Sequence, residues 1–181
     1  MIEPGIPAGA IPTLITERMV LRAPVVADFE AYGEILMSSR ATAMGGPFDR
    51  RDAWLDFCME VASWALRGYG PLAMEERKTE RFLGLSIIHH DDGDPEPELG
   101  WVISEAAEGH GFAYEAASAH RAWAFEAITL PSLVSYIAPG NDRSVALAKR
   151  LGAEPDPSAV RPDGYPNCLV YRHAIPGGTH D

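Results

Sequence analysis

The stretch from Glu98 to Glu126, ELGWVISEAAEGHGFAYEAASAHRAWAFE, limits the fold more tightly than any other part of the chain: a short apolar strand turns through Glu108-Gly109-His110-Gly111 into an amphipathic helix. N–H groups in the first turn of a helix have no intrahelical partner and point outward at the positive end of the macrodipole. Such a junction offers an anion, phosphate above all, a set of donors. Gly109 and Gly111 let a ligand approach a backbone without Cβ atoms and tolerate the φ values of a tight turn. The same residues also serve a turn that binds nothing, so the junction alone leaves both readings open. Two better-known phosphate motifs are excluded. No third glycine follows, since Ala113-Tyr114 stand where the dinucleotide fingerprint needs one. No Gly-Lys-Ser or Gly-Lys-Thr occurs, which removes the P-loop.

The chain of 181 residues is long enough for one sizeable core, and neither a repeat nor a linker divides it. A single domain over residues 1–181 is expected, with residues 1–12, MIEPGIPAGAIP, as a loose leader. That leader has no basic segment followed by an apolar one, and no apolar run reaches the roughly 20 residues of a membrane span. A soluble, cytoplasmic protein without a membrane partner is the expectation. Cys58 and Cys168 lie far apart without metal-ligand spacing, which suggests neither disulfide nor metal, but two small buried side chains. Fifteen basic against 26 acidic residues leave a net charge of −11. That balance opposes nucleic acid as a partner and slightly favours a cationic substrate.

Along the chain, Arg18 to Arg22 alternates as a first strand, and Val26 to Met37 and Asp52 to Arg67 read as helices. In the second helix Trp54, Leu55, Cys58, Val61, Ala62 and Ala65 form the expected inward face. Tyr69 to Glu75 and Phe82 to His89 read as strands around a charged turn, and Glu98 to Ser104 as the next. A helix over 112–128, a strand over 133–137, a helix from Asn141 or Asp142 to Arg150 and a strand over 168–173 complete the order. Ala153 to Asn167 carries no recognisable strand. The order implies a mixed α/β sheet with helices covering its faces.

This order, with four phrases in sequence, resembles the GNAT superfamily of acyl-CoA N-acyltransferases, particularly its branch of ribosomal-protein N-terminal acetyltransferases. The phrases are Thr16 to Arg22 (TERMVLR), Glu98 to Ile103 (ELGWVI), Gly109 to Ala116 (GHGFAYEA) and Asn141 to Gly152 (NDRSVALAKRLG). The resemblance implies a mostly antiparallel central sheet with helices on both faces and a splayed central strand pair. It implies acetyl-CoA as co-substrate, its pyrophosphate on backbone N–H groups of Gly109, His110, Gly111, Phe112 and Ala113. Pantetheine would lie along Trp101, Val102, Ile103 and Ser104 like an added strand. An N–H near Val102 or Ile103 would face the thioester oxygen, a contact worth about a hundredfold or more in rate. Asn141 and Ser144 match positions that contact pantetheine. Three residues depart from the family pattern. Glu108 puts an anion where a Gln, Arg or aromatic residue often begins the loop, His110 occupies a position often basic or amidic and would either face a phosphate or sit exposed without contact, and Ala148 stands where a tyrosine general acid is common.

Amine acylation needs a neutral amine and a route for its proton. An α-amino group, with a reference pKa of about 7.7 to 8.0 against about 10.4 for lysine, asks less of a base. Glu98, at the start of the cofactor strand, is the candidate to take the proton directly or through water; a cross-sheet ion pair is its structural alternative. His89-His90-Asp91-Asp92 does not read as a metal site, because adjacent strand residues face opposite ways. One of these histidines, His89, is a candidate for lining the acceptor cleft, as are Trp64 and Tyr69, whereas Trp54 belongs to the apolar stripe. The reading is acetyl transfer to a small amine or peptide N-terminus by direct attack in a ternary complex, since no nucleophilic triad is present. A non-catalytic acyl-CoA-binding or regulatory module is the alternative. The strand near the C-terminus, read as exposed, is compatible with a homodimer.

Overall fold

Residues 11–175 are described by the structure, a computed structural model. The expected leader lies outside the described residues except for its last two, and Ile11 packs against the core. The elements are β1 (Leu14–Ile15), β2 (Met19–Arg22), α1 (Phe29–Leu36), α2 (Arg50–Arg67), β3 (Leu72–Glu76), β4 (Phe82–His89), β5 (Glu98–Ile103), α3 (Phe112–Glu126), β6 (Val134–Ile137), α4 (Asp142–Arg150), β7 (Glu154–Pro155) and β8 (Leu169–Arg172). Short 3-10 turns occupy Val26–Asp28, Ser39–Met44 and Glu105–Ala107. β1 and β7, two residues each, are too short for alternation to show in the sequence.

All eight strands join one sheet in the order β1-β2-β3-β4-β5-β6-β8-β7. Every neighbouring pair is antiparallel except β5 and β6, which run parallel. Helices α1 and α2 cover one face over Ala73, Leu85, Ile87 and Val102. Helix α3 covers the other over Met74, Leu83, Ile88 and Leu99, with α4 beside it on Ile137 and Tyr171. Gly84 brings β4 unusually near β5, since a Cβ there would lie 2.0 Å from the Val102 carbonyl oxygen.

Helix α2 starts where the Asp49 carboxylate accepts the Asp52 N–H at 2.8 Å and stops at Gly68, whose φ is +79°. Its inward face differs from the one expected. Ala53, Phe57 and Trp64 are buried, whereas Trp54 is 37% and Leu55 47% exposed. Apolar residues occur on more than one side of this helix, and contact with Phe29 and Tyr32 of α1 decides which side turns in. Cys168 is buried but Cys58 only half so. The C-terminal strand is not a free edge, because β7 pairs with β8 on its outer side.

Candidate active site

Strands β5 and β6 form a fork. Their ladder holds only at Glu98 opposite Val134, and beyond it the strands separate. The Ser104 N–H donates to the Leu83 carbonyl on the β4 side, so by alternation residues 98, 100 and 102 turn their backbone groups toward β4 while 99, 101 and 103 face the opening. This corrects one expectation: the Val102 N–H belongs to the β4 ladder. Of the three that face the opening, the Leu99 carbonyl accepts the Ser135 hydroxyl at 2.6 Å and the Ile103 carbonyl accepts Arg40 at 3.2 Å. Trp101 therefore presents the main-chain pair between them. Its indole N–H donates to Ser144 Oγ at 3.2 Å, joining β5 to α4 over the opening. Asn141 caps α4, its Oδ1 accepting the Ser144 N–H at 3.2 Å. Ser104 Oγ is buried without a partner among the described residues.

At the outer end of the fork, Gly109 and Gly111 take φ of +74° and +79°, and α3 begins at Gly111 without a side-chain cap. The first N–H groups of α3, from Phe112 and Ala113 onward, are thereby left to a ligand or water. Arg18 holds the loop: Nε donates to Glu115 at 2.7 Å, Nη1 to the His110 carbonyl at 2.8 Å, and the guanidinium lies 4.4 Å from the Phe112 ring centre. Beside the loop is a shallow groove of about 570 Å³ lined by Arg18, His110, Tyr114, Glu115 and Arg150, with His110 exposed. Glu108 does not point freely into solvent. Arg40 and Arg143 each donate to its Oε1 at 2.6 Å, and the Arg40 guanidinium, with help from Arg143, holds the carboxyl below the usual range.

At the closed end of the fork stands Glu98. Its carboxylate accepts the Tyr136 N–H at 3.3 Å, bridging the two strands where they part. Burial pushes its pKa up to about 7, with Glu60 and Asp94 adding to the rise while His89 and the Tyr136 N–H oppose it. His89 sits opposite Glu98 on β4, its Nδ1 3.1 Å from Glu60 and its Nε2 3.2 Å from Asp91. Burial alone would lower its pKa, but Glu60 first, then Asp91 and Glu98, lift it to about 10. Nearby, Tyr32 donates to Asp56 at 2.7 Å, and burial raises that carboxyl to about 6. The arrangement presents a carboxylate able to exchange a proton near neutrality at the point where the two strands part.

Residues 18–154 match the acetyltransferase (GNAT) domain family. The chain belongs to the GNAT acetyltransferase family. Among solved structures, an acetyltransferase from Agrobacterium tumefaciens is 46% identical, with a TM-score of 0.86 over 91% of this chain and 95% of that one. The ribosomal L7/L12 α-N-protein acetyltransferase RimL, solved with coenzyme A, shares the fold at 15% identity, with a TM-score of 0.72 over 91% and 98%. Mycobacterium smegmatis RimJ, solved with a CoA disulfide, does so at 19% identity, with a TM-score of 0.65 over 90% and 85%. The fork between β5 and β6 is the splayed pair expected of a GNAT sheet.

Within this GNAT domain the aromatic residues sit differently from expectation. Trp64 is 3% exposed, tilted against Trp123 with its indole N–H on the Pro71 carbonyl at 2.8 Å, so it builds the core and meets no substrate. Tyr69 is buried on Ile88 and Leu99, with its hydroxyl 3.0 Å from His90 Nδ1. Both ring nitrogens of His89 are engaged by carboxylates, which leaves it no free donor for an acceptor. Ala148, where a GNAT tyrosine is common, is fully buried in the α4 packing. Sequence reasoning missed Arg18, Arg40, Glu60 and Arg143, and it weighed Asp91 only as part of a metal motif. Arg18 lies inside a family phrase, but Arg40 and Glu60 had no local signal, since their partners are 68 and 29 residues away.

Proposed function

We propose that this GNAT protein uses acetyl-CoA to acetylate a primary amine, either a small amine or a peptide N-terminus as in the ribosomal-protein branch. The observation that carries the reading is the Glu98 carboxylate at the closed end of the fork, bridging β5 and β6 where they part, with its pKa pushed up to about 7. Acetyl-CoA supplies the activated acetyl group. The residues present fit such a co-substrate. Main-chain groups of Trp101 and Ile103 face the opening, the uncapped start of α3 from Gly109 to Ala113 suits a diphosphate, and Asn141 and Ser144 flank the α4 side. The Glu108 charge is offset by Arg40 and Arg143, so the departure at that position does not leave a bare anion beside the phosphates.

Glu98 takes a proton from the amine, directly or through one water, as the new C–N bond forms and the C–S bond breaks; the proton ends on the leaving sulfur through water, since Ala148 has none to give. An α-amino group, nearer neutrality than a lysine, suits a base of this strength. The protein acts as one domain in the cytoplasm under the same reading. The test follows CoA release with peptide N-termini and polyamines as acceptors. Turnover with any of them supports the enzyme, and tight acetyl-CoA binding with none points to a binding module on the same fold.

A further inference from the structure

His89 lies between two carboxylates, Glu60 from α2 at 3.1 Å on Nδ1 and Asp91 at 3.2 Å on Nε2. A neutral imidazole has one N–H, and its other nitrogen would turn a lone pair toward a carboxylate; both contacts are attractive only when both nitrogens carry protons. The ring is thus an imidazolium, clamped from two sides. Its side chain is only 21% exposed and that of Glu60 12%, so water screens this pair poorly. Directly across the β4–β5 ladder is Glu98.

The surroundings of Glu98 are otherwise hostile to a negative charge. Glu60 faces it from α2, Asp94 from the segment between β4 and β5, the Tyr136 phenol and N–H from β6, and the Cys168 thiol from the segment before β8. Two of these are anions. The Tyr136 N–H is a long contact, and His89 is the one cation in the set. A half-buried carboxylate with only anions and neutral groups around it holds its proton to higher pH, and a protonated carboxyl takes nothing from an amine.

We propose that His89 is a positioning residue: the Glu60–His89–Asp91 clamp places a fixed cation across the ladder from Glu98 and thereby favours the ionised form of that half-buried carboxylate for its work on the acceptor amine. This rests on Glu98 being the base. It also assigns His89 a role other than touching substrate, because neither nitrogen is free. The clamp is built from α2 and from the start of the β4–β5 connection, so anything that lifts α2 from the sheet also weakens the base.

The experiment compares kcat/KM against pH for the wild-type protein, His89→Gln and His89→Arg, with CoA affinity measured for each to show that the fold and cofactor end are intact. Wild type rises with pH through an acid limb near neutrality. In His89→Gln the limb moves to higher pH by about one unit, roughly a tenfold loss of kcat/KM on the acid side. His89→Arg keeps the charge and returns the limb toward the wild-type position. A His89→Gln limb that stays in place, or equal losses at all pH values in both variants, overturns the proposal. Glu98→Gln separates it from its premise: if that variant turns over normally, Glu98 is not the base and the role of His89 falls with it. If Glu98→Gln is dead but His89→Gln keeps its limb, only the role of His89 falls.

Discussion

At the outer end of the fork the proposed recognition of the co-substrate rests on backbone: the N–H groups after Gly111 and the main chain of Trp101, with Arg18 holding the loop and Arg40 and Arg143 offsetting Glu108. At the closed end it rests on side chains, Glu98, His89 and Glu60 between α2 and the sheet, with the exposed Asp91 against the outer side of His89. The two ends obey different physics. A backbone site needs the right φ and room for a ligand, and most side-chain changes around it are absorbed. A side-chain site in poorly screened surroundings depends on each charge, because every neighbour shifts the proton affinity of the others.

Glu98→Gln tests the contrast most severely. It removes the proposed base while keeping shape, and kcat falls by about a hundredfold to ten-thousandfold in a CoA-release assay. Calorimetric affinity for CoA stays at the wild-type value; a fall in both together would mean that the ends are not separate. Gly111→Val does the reverse. A β-branched residue is strained at a φ of +79°, and its Cβ would stand 3.5 Å from the Arg18 guanidinium. CoA binds about tenfold more weakly, consistent with roughly 1–2 kcal/mol of backbone strain at the loop, and the acid limb of the pH profile does not move. Unchanged affinity would count against the diphosphate lying on this turn. Glu108→Gln gives the smallest effect and the opposite sign. It frees Arg40 and Arg143 for an incoming phosphate, and CoA binds about two- to fivefold tighter at low salt, a gain that fades as ionic strength rises. Weaker binding instead would show that the carboxylate organises the two guanidiniums.

The same contrast explains what reading residues in order achieves. The loop, its glycines, the strand before it and the helix after it are visible because each depends on neighbours within a few positions. The family phrases fall on those local features as well. The Asn141 cap and the end of α4 followed for the same reason. Trp64 shows the limit. It was a candidate for the acceptor wall, yet the choice between core and cleft turned on how α2 rolls against α1 and Trp123. His89 shows it again: strand alternation bears on whether His89 and His90 share a face, but it carries no sign that Glu60, on a helix 29 residues back, claims one nitrogen.

The order of elements, the turn that opens α3 and the residues able to line the fork were determined by the sequence itself, through hydrogen bonding and steric preferences that act over a turn or a hairpin. Tertiary structure alone decided which face of α2 is buried, that β5 and β6 part after a single pair, that Glu108 is neutralised from two sides, and that Glu98 holds a proton near neutrality. These properties depend on which distant groups share a space from which water is largely shut out, and the strength of a charge is set by that shared space.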